Sequence, residues 1–283
     1  MPRFCLTRLT LAADEVGAFG EAATSAYARL LQAAATAAST DAGYSPEWYL
    51  REGTIWVIRR STIECERPIP AGAEVEVSTW VADFRRVRSR REYEIRRPQV
   101  SEPSLRAHTD WVYIERESSR PRRIPPEMTV AFIPEGTSSP LPRASLALSS
   151  PPAGAFESRR SVGEMDLDAL AHVNNARYFD YLEEAALEAL SARGWSPKRI
   201  LGAGGILRAE RHDIEYLEEA RLGEELRCLT WVVAVDADRF ERATEIRRTA
   251  DDTCLTRARS GWRWVDKGSG ELRPLPAEFT AAL

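Results

Sequence analysis

An internal repeat constrains this chain more than any other feature of its sequence. A shift of 151 residues places identical residues on one another along most of the half-chain: Ile63-Glu64 on Ile214-Glu215, Thr79-Trp80-Val81 on Thr230-Trp231-Val232, Glu94-Ile95-Arg96-Arg97 on Glu245-Ile246-Arg247-Arg248, and Tyr27, Gly72 and Trp111 on Tyr178, Gly223 and Trp262. Self-similarity at a fixed offset indicates copies of one structural unit. We therefore predict that the 283 residues contain two copies of one domain.

Each copy contains one long helical pattern and a series of strand-like runs. In the first copy, a strand near 4–11 and an alanine-rich helix at about 21–39 precede strands at 55–66, 73–84, 90–97 and 105–115 and a closing strand near 128–133. In the second copy, a helix at 175–192 precedes strands at 206–217, 225–235, 241–249 and 253–265. We expect Gly194 to cap that helix, because glycine readily adopts the left-handed conformation that ends helices. This order favours an α+β domain in which an antiparallel sheet packs on one helix.

The predicted organisation is a tandem of two domains. The N-terminal domain covers residues 1–133, a linker covers 134–155, and the C-terminal domain covers 156–283. The linker is rich in proline, serine and glycine, which is typical of an extended connection. Because a domain with a single helix leaves much apolar surface uncovered, we expect the two copies to pair as a pseudo-dimer.

Composition excludes several classes of protein. A formal net charge of −4 gives no general argument for binding nucleic acid. The apolar runs are too short to span a membrane, and the N-terminus lacks the apolar core of a signal peptide. The four cysteines are dispersed without a C-x-x-C pair, so we expect reduced thiols in a cytoplasmic protein.

Residues 166–185, with the sequence DLDALAHVNNARYFDYLEEA, place reactive groups just before a predicted helix. Asp168 and His172 lie in a short loop, and the asparagines that follow are favoured caps for a helix start. Free N–H groups and the helix dipole at that end favour developing negative charge. The equivalent positions of the first copy are Gly17 and Glu21, so the fold does not require the Asp–His pair. We therefore predict a functional site here.

Hydrolysis led by a carboxylate suits these groups best. The chain lacks the G-x-S-x-G motif, so an α/β-hydrolase mechanism is not supported, and it lacks any H-E-x-x-H spacing, so a zinc hydrolase is not predicted. No cofactor is predicted. The glycine-rich run 202–205 does not complete a dinucleotide-binding motif and is predicted to be a turn. Glu219 is a third candidate, because the first copy has Pro68 at its position. A glutamate run before a hairpin turn is, however, as often a solvated strand end.

The run His172-Val173-Asn174-Asn175-Ala176-Arg177-Tyr178 resembles the signature of hotdog-fold thioesterases. The two-copy layout is more specific and resembles the acyl-ACP thioesterases of plants and bacteria, whose C-terminal hotdog domain carries D-x-N-x-H-V-N-N. The resemblance extends to the first copy through 53–57, Ile63-Glu64, 79–81 and 122–125. It implies tandem hotdog domains, each a sheet wrapped around one long helix, with a catalytically degenerate N-terminal copy.

The resemblance implies that the family's catalytic residues correspond to Asp168, His172 and Glu219. Backbone N–H groups at Val173, Asn174 and Asn175 would then form the oxyanion site. Leu170 stands where the family has an asparagine, and Ala220 stands where a cysteine often follows the glutamate. The first departure removes one polar group from the predicted site but leaves its acid–base pair.

The implied reaction is hydrolysis of a fatty acyl-ACP or acyl-CoA thioester to the free acid and the carrier thiol. Two alternatives stay open: a hydratase or dehydratase on the same fold, and a non-catalytic module that binds acyl thioesters. The basic segment 84–91 is interpreted as a solvated hairpin end or as a landing patch for an acidic acyl carrier protein or for the phosphates of CoA. A homodimer of the double-hotdog chain is also left open, and His108 and His212 are predicted to be structural.

Overall fold

The computed structural model describes residues 3–135, 143 and 145–283, which fall into two compact units. The first unit contains Met1–Glu15 and Ala26–Ser145, and the second contains Val16–Ser25 and Leu146–Leu283. Much of the predicted linker, residues 136–142 and 144, lies outside the described residues. The boundaries 1–133, 134–155 and 156–283 stay a prediction, as does the pairing of the copies as a pseudo-dimer.

The first unit is an antiparallel sheet with one long helix. Its strands follow the order β1-β3-β4-β5-β2 across the sheet. The elements along the chain are β1 Cys5–Thr10, α1 Thr24–Asp41, α2 Pro46–Arg51, β2 Thr54–Cys65, β3 Glu74–Arg85, β4 Arg88–Arg96, β5 Leu105–Glu115 and α3 Pro126–Phe132. The first two residues of α1 belong to the second unit. The predicted helix and the first five predicted strands are confirmed to within a few residues.

The predicted closing strand at 128–133 is wrong, because these residues lie in or next to helix α3. Proline at the first position of α3 has a backbone angle that suits a helix start and loses no hydrogen bond there. Met128 and Phe132 are both buried, and their spacing of four residues places them on one helical face. The apolar spacing of this short run is compatible with a strand or a helix, and the proline at its start favours the helix.

The second unit repeats this arrangement with the strand order β7-β10-β9-β8-β6. Its elements are β6 Phe156–Ser161, a 3-10 turn Glu164–Asp166, α4 Arg177–Ala192, α5 Pro197–Gly202, β7 Gly205–Tyr216, β8 Glu225–Val235, β9 Arg239–Arg248, β10 Cys254–Asp266 and α6 Ala277–Thr280. Each long strand occupies the position of its equivalent in the first unit. The predicted repeat and the predicted α+β class are therefore confirmed.

Helix α4 packs on the sheet through a stripe of apolar residues. The buried members are Tyr178, Phe179, Tyr181, Leu182, Ala185, Ala186, Ala189 and Leu190. The helix ends in a Schellman motif, in which Gly194 N–H donates to the Ser191 carbonyl (2.9 Å) and Trp195 N–H donates to the Leu190 carbonyl (2.9 Å). Gly194 has φ +83°, as its predicted capping role requires. Leu190 and Trp195 then join one core cluster, so the cap also fixes the packing of the helix end.

The run 202–205 forms the predicted turn between α5 and β7. Gly204 has φ +80°, and a side chain on Gly205 would overlap the indole ring of Trp264. Among the helices of the described residues, none is both long and apolar enough to cross a membrane.

We expect Gly205→Ala to lower the free energy of unfolding by about 1–3 kcal/mol, because the added methyl group must displace a packed indole. Urea denaturation followed by circular dichroism measures this change. Gly202→Ala is the matched control, since no atom outside its own helix backbone and chain neighbours lies within 4 Å of its Cβ position. Equal stability of the two variants would contradict the close packing at position 205.

Candidate active site

The loop before α4 is held by a short backbone ladder. Leu167 and Val173 form an isolated antiparallel bridge. Asp168 N–H donates to the His172 carbonyl (2.9 Å), and Asn174 N–H donates to the Asp166 carbonyl (2.8 Å). These bonds close a tight turn that presents the side chains of Asp168 and His172 beside the helix start.

The first copy keeps the backbone of this loop but not its side chains. Gly17 N–H donates to the Glu21 carbonyl (2.8 Å), the equivalent of the bond from Asp168 to His172. Gly20 has φ +83°, and the equivalent Ala171 has φ +61°. The backbone turn of this loop therefore also forms in a copy that has neither the aspartate nor the histidine.

His172 and Glu219 are in direct contact. His172 Nε2 lies 2.9 Å from Glu219 Oε2, and both side chains are partly exposed. Val173 N–H donates to the Ala220 carbonyl (2.9 Å), so a backbone bond joins the two segments next to this contact. The structure thus brings together a histidine and a glutamate that lie 47 positions apart in the sequence.

Arg221 completes this pair on its other side. Its Nε donates to Glu219 Oε1 (2.9 Å), and its terminal nitrogen also contacts that oxygen. Glu219 therefore directs one carboxylate oxygen to Arg221 and the other to His172. Sequence reasoning missed Arg221, and the only signal for it was its position two residues after Glu219.

Asp168 shapes its own turn. Its Oδ1 accepts a hydrogen bond from Leu170 N–H (2.8 Å), and Ala171 N–H donates to its carbonyl (3.0 Å). Among the described residues, the Asp168 carboxylate forms no hydrogen bond with His172 or Glu219. Leu170 contributes through its backbone N–H, which any residue except proline supplies.

The predicted oxyanion donors are not equally available. Helix α4 begins at Arg177 rather than at the predicted Asn175, and Asn174 Oδ1 accepts from Ala176 N–H (2.8 Å). The N–H groups of Val173 and Asn174 already donate to protein carbonyls. Asn175 N–H has no acceptor within the described part of the chain. Tyr216 donates its hydroxyl to the Asn175 carbonyl (3.0 Å), which fixes the orientation of this peptide segment.

Asp166 fastens the loop to α4. Its carboxylate accepts from Arg177 Nε (2.7 Å) and from Gly163 N–H (2.9 Å), and Arg177 also donates to Asp180 (2.8 Å). Although burial raises the pKa of Asp166, the bonds from Gly163 and Arg177 outweigh it and hold this pKa below its usual value. In the first copy the equivalent Glu15 pairs with Arg29 of α1 at 3.1 Å. An acid–arginine pair at this position therefore belongs to the scaffold of both copies.

The basic segment 84–91 divides into two groups. Arg85, Arg86 and Arg88 are exposed where β3 turns into β4. Arg90 forms a bidentate pair with Asp110 at 2.8 and 2.7 Å, and Arg91 is buried. Only the arginines at the turn can meet an acidic partner. In the described chain, no group of three or more His, Cys, Asp or Glu residues could hold a metal ion.

Two family models match the chain. The model of the acyl-ACP thioesterase N-terminal domain matches residues 6–132, and the model of the thioesterase-like superfamily matches residues 162–283. The chloroplastic palmitoyl-acyl carrier protein thioesterase of Arabidopsis thaliana is 25% identical over 230 residues, which cover 78% of this chain and 52% of that protein. The chain thus spans about half the length of the curated relatives it matches.

Solved structures agree on the fold. A provisionally named oleoyl thioesterase from Lactobacillus plantarum has a TM-score of 0.78 at 19% identity, covering 93% of this chain and 96% of its own. The 12:0-ACP thioesterase from Umbellularia californica has a TM-score of 0.72 at 21% identity, covering 92% of this chain and 97% of its own. The predicted tandem hotdog architecture is confirmed.

We expect Asp166→Asn to lower the free energy of unfolding by about 1–3 kcal/mol at pH 7, because it weakens two charge-assisted hydrogen bonds. The folded pKa of Asp166 lies below the unfolded value of about 3.9, so its stabilisation is present above that pH and is lost as the pH falls through the folded value. The difference from wild type should therefore shrink below about pH 4. Urea denaturation at several pH values measures it.

Glu164→Gln is the control, because that carboxylate is exposed and lies in the same 3-10 turn. A stability difference for Asp166→Asn that stayed constant from neutral to acid pH would show that the charge of Asp166 does not hold the loop.

Proposed function

Because the chain belongs to the acyl-ACP thioesterase family, we propose that it hydrolyses a fatty acyl-ACP thioester to the free acid and the carrier thiol. The contact between His172 and Glu219, three residues before an Asn175 N–H that has no acceptor among the described residues, is the observation that best supports this reaction. The first copy has Glu21 and Pro68 at the positions of the pair, so we assign catalysis to the second unit alone.

The proposed site binds the thioester carbonyl at the start of α4. Asn175 N–H would donate to the carbonyl oxygen, and the positive end of the helix dipole would stabilise the charge that develops there. Fewer N–H groups are available to the oxyanion than the sequence predicted. Those of Val173 and Asn174 donate to the carbonyls of Ala220 and Asp166 and so hold the loop instead. Tyr216 supports the Asn175 donor by fixing its peptide.

Attack by water completes the proposed mechanism. His172, held through Nε2 by Glu219, takes the proton of a water molecule as its oxygen attacks the thioester carbon. The tetrahedral intermediate then expels the sulfur as the C–S bond breaks, and the same pair returns the proton to the thiolate. Arg221 keeps one Glu219 oxygen engaged, so the other stays directed at His172. Asp168 would contribute its remaining carboxylate oxygen from the same loop.

We expect Asp168→Asn, His172→Ala and Glu219→Gln each to lower kcat/KM for an acyl-ACP by about 10²–10⁴-fold, because each removes a group from the acid–base site. Release of the carrier thiol, followed with a thiol-reactive dye, measures the rates. Glu218→Gln is the matched control, since its carboxylate is exposed and has no partner in the described chain. Turnover near that of wild type in all three site variants would refute the assignment.

The nature of the carrier is a separate part of the proposal. An acidic carrier protein fits the exposed arginines of the β3–β4 turn, whereas CoA would bring only its phosphates. We expect Arg86→Glu combined with Arg88→Glu to lower kcat/KM for acyl-ACP about tenfold at low ionic strength and to have little effect at high ionic strength, where charges are screened.

The control for this test is Arg51→Glu combined with Arg97→Glu, which makes the same charge change at exposed positions elsewhere on the first unit. An equal effect of both double variants would mean that net charge, rather than the turn, governs the association. Equal rates for acyl-CoA and acyl-ACP with wild-type protein would remove the carrier protein from the proposal.

Two other functions make different predictions for the same assay. A hydratase or dehydratase would alter the acyl chain without releasing thiol, and product analysis by mass spectrometry separates it from a hydrolase. A non-catalytic binding module, suggested by Leu170, would bind a nonhydrolysable acyl analogue without any turnover. A cytoplasmic location stays a prediction from the dispersed cysteines.

A further inference from the structure

The segment that carries Glu219 lies outside the sheet. It runs from the end of β7 to the start of β8, so regular strand pairing does not fix its backbone. Carbonyl groups in such irregular segments need other donors, because a polar group without a partner is costly where water is excluded. The Glu219 carboxylate contacts His172 and Arg221, whereas its carbonyl accepts a hydrogen bond from a third residue, Arg248 of β9.

Arg248 makes three contacts through its guanidinium. Its Nη2 donates to the Glu219 carbonyl (2.9 Å), its Nη1 donates to Asp251 Oδ2 (3.1 Å), and its Nε lies 3.1 Å from Glu224 Oε2. The last contact is an ion pair without hydrogen-bonding geometry. The Arg248 side chain is only 21% exposed, so water and salt screen these charges less than they would at an open surface. Two carboxylates therefore fix the guanidinium that supports the Glu219 backbone.

Glu224 links Arg248 to the other arginine of the site. The oxygen that faces Arg248, Oε2, also accepts a hydrogen bond from Arg221 N–H (3.2 Å). Arg221 Nε in turn donates to Glu219 Oε1 (2.9 Å), and the Arg221 backbone forms an isolated bridge with His172. One arginine thus holds Glu219 at its carbonyl, another holds it at its carboxylate, and a single glutamate connects the two arginines.

The first copy keeps the arginine but none of the side chains that surround it in the second copy. Arg97, the equivalent of Arg248, is exposed and forms no side-chain hydrogen bond or ion pair with the described residues. The positions of Glu219, Arg221, Glu224 and Asp251 hold Pro68, Pro70, Ala73 and Val100. The charged contacts therefore occur only in the copy that carries the proposed catalytic pair.

The first copy orders the equivalent segment without an arginine. Pro68 and Pro70 restrict the backbone on either side of Ile69. The Tyr27 hydroxyl accepts from Ile69 N–H (2.9 Å) and donates to the Ile69 carbonyl (3.2 Å). Since the fold can hold this segment by such means, the contacts of Arg248 are better explained by Glu219 than by a general requirement of the fold.

We propose that Arg248 is a positioning residue, which holds the Glu219 carbonyl and thereby keeps the Glu219 carboxylate against His172. The inference rests on the proposed thioesterase function, because it concerns the same pair. Arg248 forms no hydrogen bond or ion pair with the His172 ring or with the Glu219 carboxylate, so its effect on the reaction passes through the backbone. Misplacement of a reacting group by about 1 Å can lower a rate by about 10²-fold.

Thiol release from an acyl-ACP measures this effect. We expect Arg248→Met to lower kcat about 10–100-fold and to change KM less than about twofold, because it misplaces a catalytic group without removing a contact to the substrate. Arg97→Met, at the equivalent position of the first copy, is the matched control and should leave both constants unchanged. Arg248→Lys keeps a charged donor for the Glu219 carbonyl and should recover part of the lost kcat.

A double-mutant cycle separates positioning from a general structural role. If Arg248 acts through the Glu219 carboxylate, Arg248→Met should cost less than about twofold in single-turnover rate when Glu219→Gln is already present. An equal loss in both backgrounds would overturn the inference. Should thermal denaturation show that Arg248→Met does not fold, Glu224→Gln replaces it in the cycle. That change should lower kcat about threefold in the wild-type background and leave the rate of the Glu219→Gln variant unchanged.

A crystal structure of Arg248→Met tests the inference without turnover. We expect the Glu219 carboxylate to lie beyond hydrogen-bonding distance of His172 Nε2 in that variant. A contact that stays at its wild-type distance of 2.9 Å would refute the role of Arg248 and leave the proposed function intact. A contact that is lost, together with wild-type protein that releases no thiol from any acyl thioester, would refute the proposed function and uphold Arg248 as the group that holds Glu219.

Discussion

The hydrogen bond from Val173 N–H to the Ala220 carbonyl is the interaction on which the proposed site depends. It joins the loop before α4 to the segment after β7, one residue away from both His172 and Glu219. Because a backbone bond fixes the distance between these segments, two long side chains meet at 2.9 Å without having to be ordered by each other alone. The same bond uses the Val173 N–H and thereby removes it from the set of oxyanion donors.

Much of the fold could be predicted because the long helix and the long strands each have an equivalent in the other copy. A strand seen at 105–115 is supported by its equivalent at 253–265, and accidental patterns do not recur at the same offset. The run at 128–133 failed because it is short and apolar, so helix and strand periods fit it equally well. The short helices α2 and α5 were missed for a similar reason, although each has a serine cap followed by proline.

The residues of the proposed site stay a prediction from the sequence, whereas the bonds that they form are seen only in the structure. Asp168, His172 and Glu219 could be found from the differences between the copies and from the family signature. The sequence could not show which N–H groups are available to the oxyanion. The carbonyls of Asp166 and Ala220 take up the N–H groups of Asn174 and Val173, and they approach these groups only in the folded chain. Leu170 looked like a lost polar group. Its backbone N–H still supports the Asp168 carboxylate, so the substitution changes only what the side chain offers.

The first copy forms different contacts at the loop equivalent to residues 166–176 of the proposed site. Glu21, at the position of His172, accepts hydrogen bonds from Arg208 Nε (3.0 Å) and Nη2 (2.5 Å) of β7. The Thr24 hydroxyl donates to Glu183 of α4. Both contacts lie within the second unit, to which Val16–Ser25 belong. A loop whose backbone is set by its own ladder can exchange its side chains freely. One copy could therefore keep reactive groups at this loop while the other used the same positions for ion pairing.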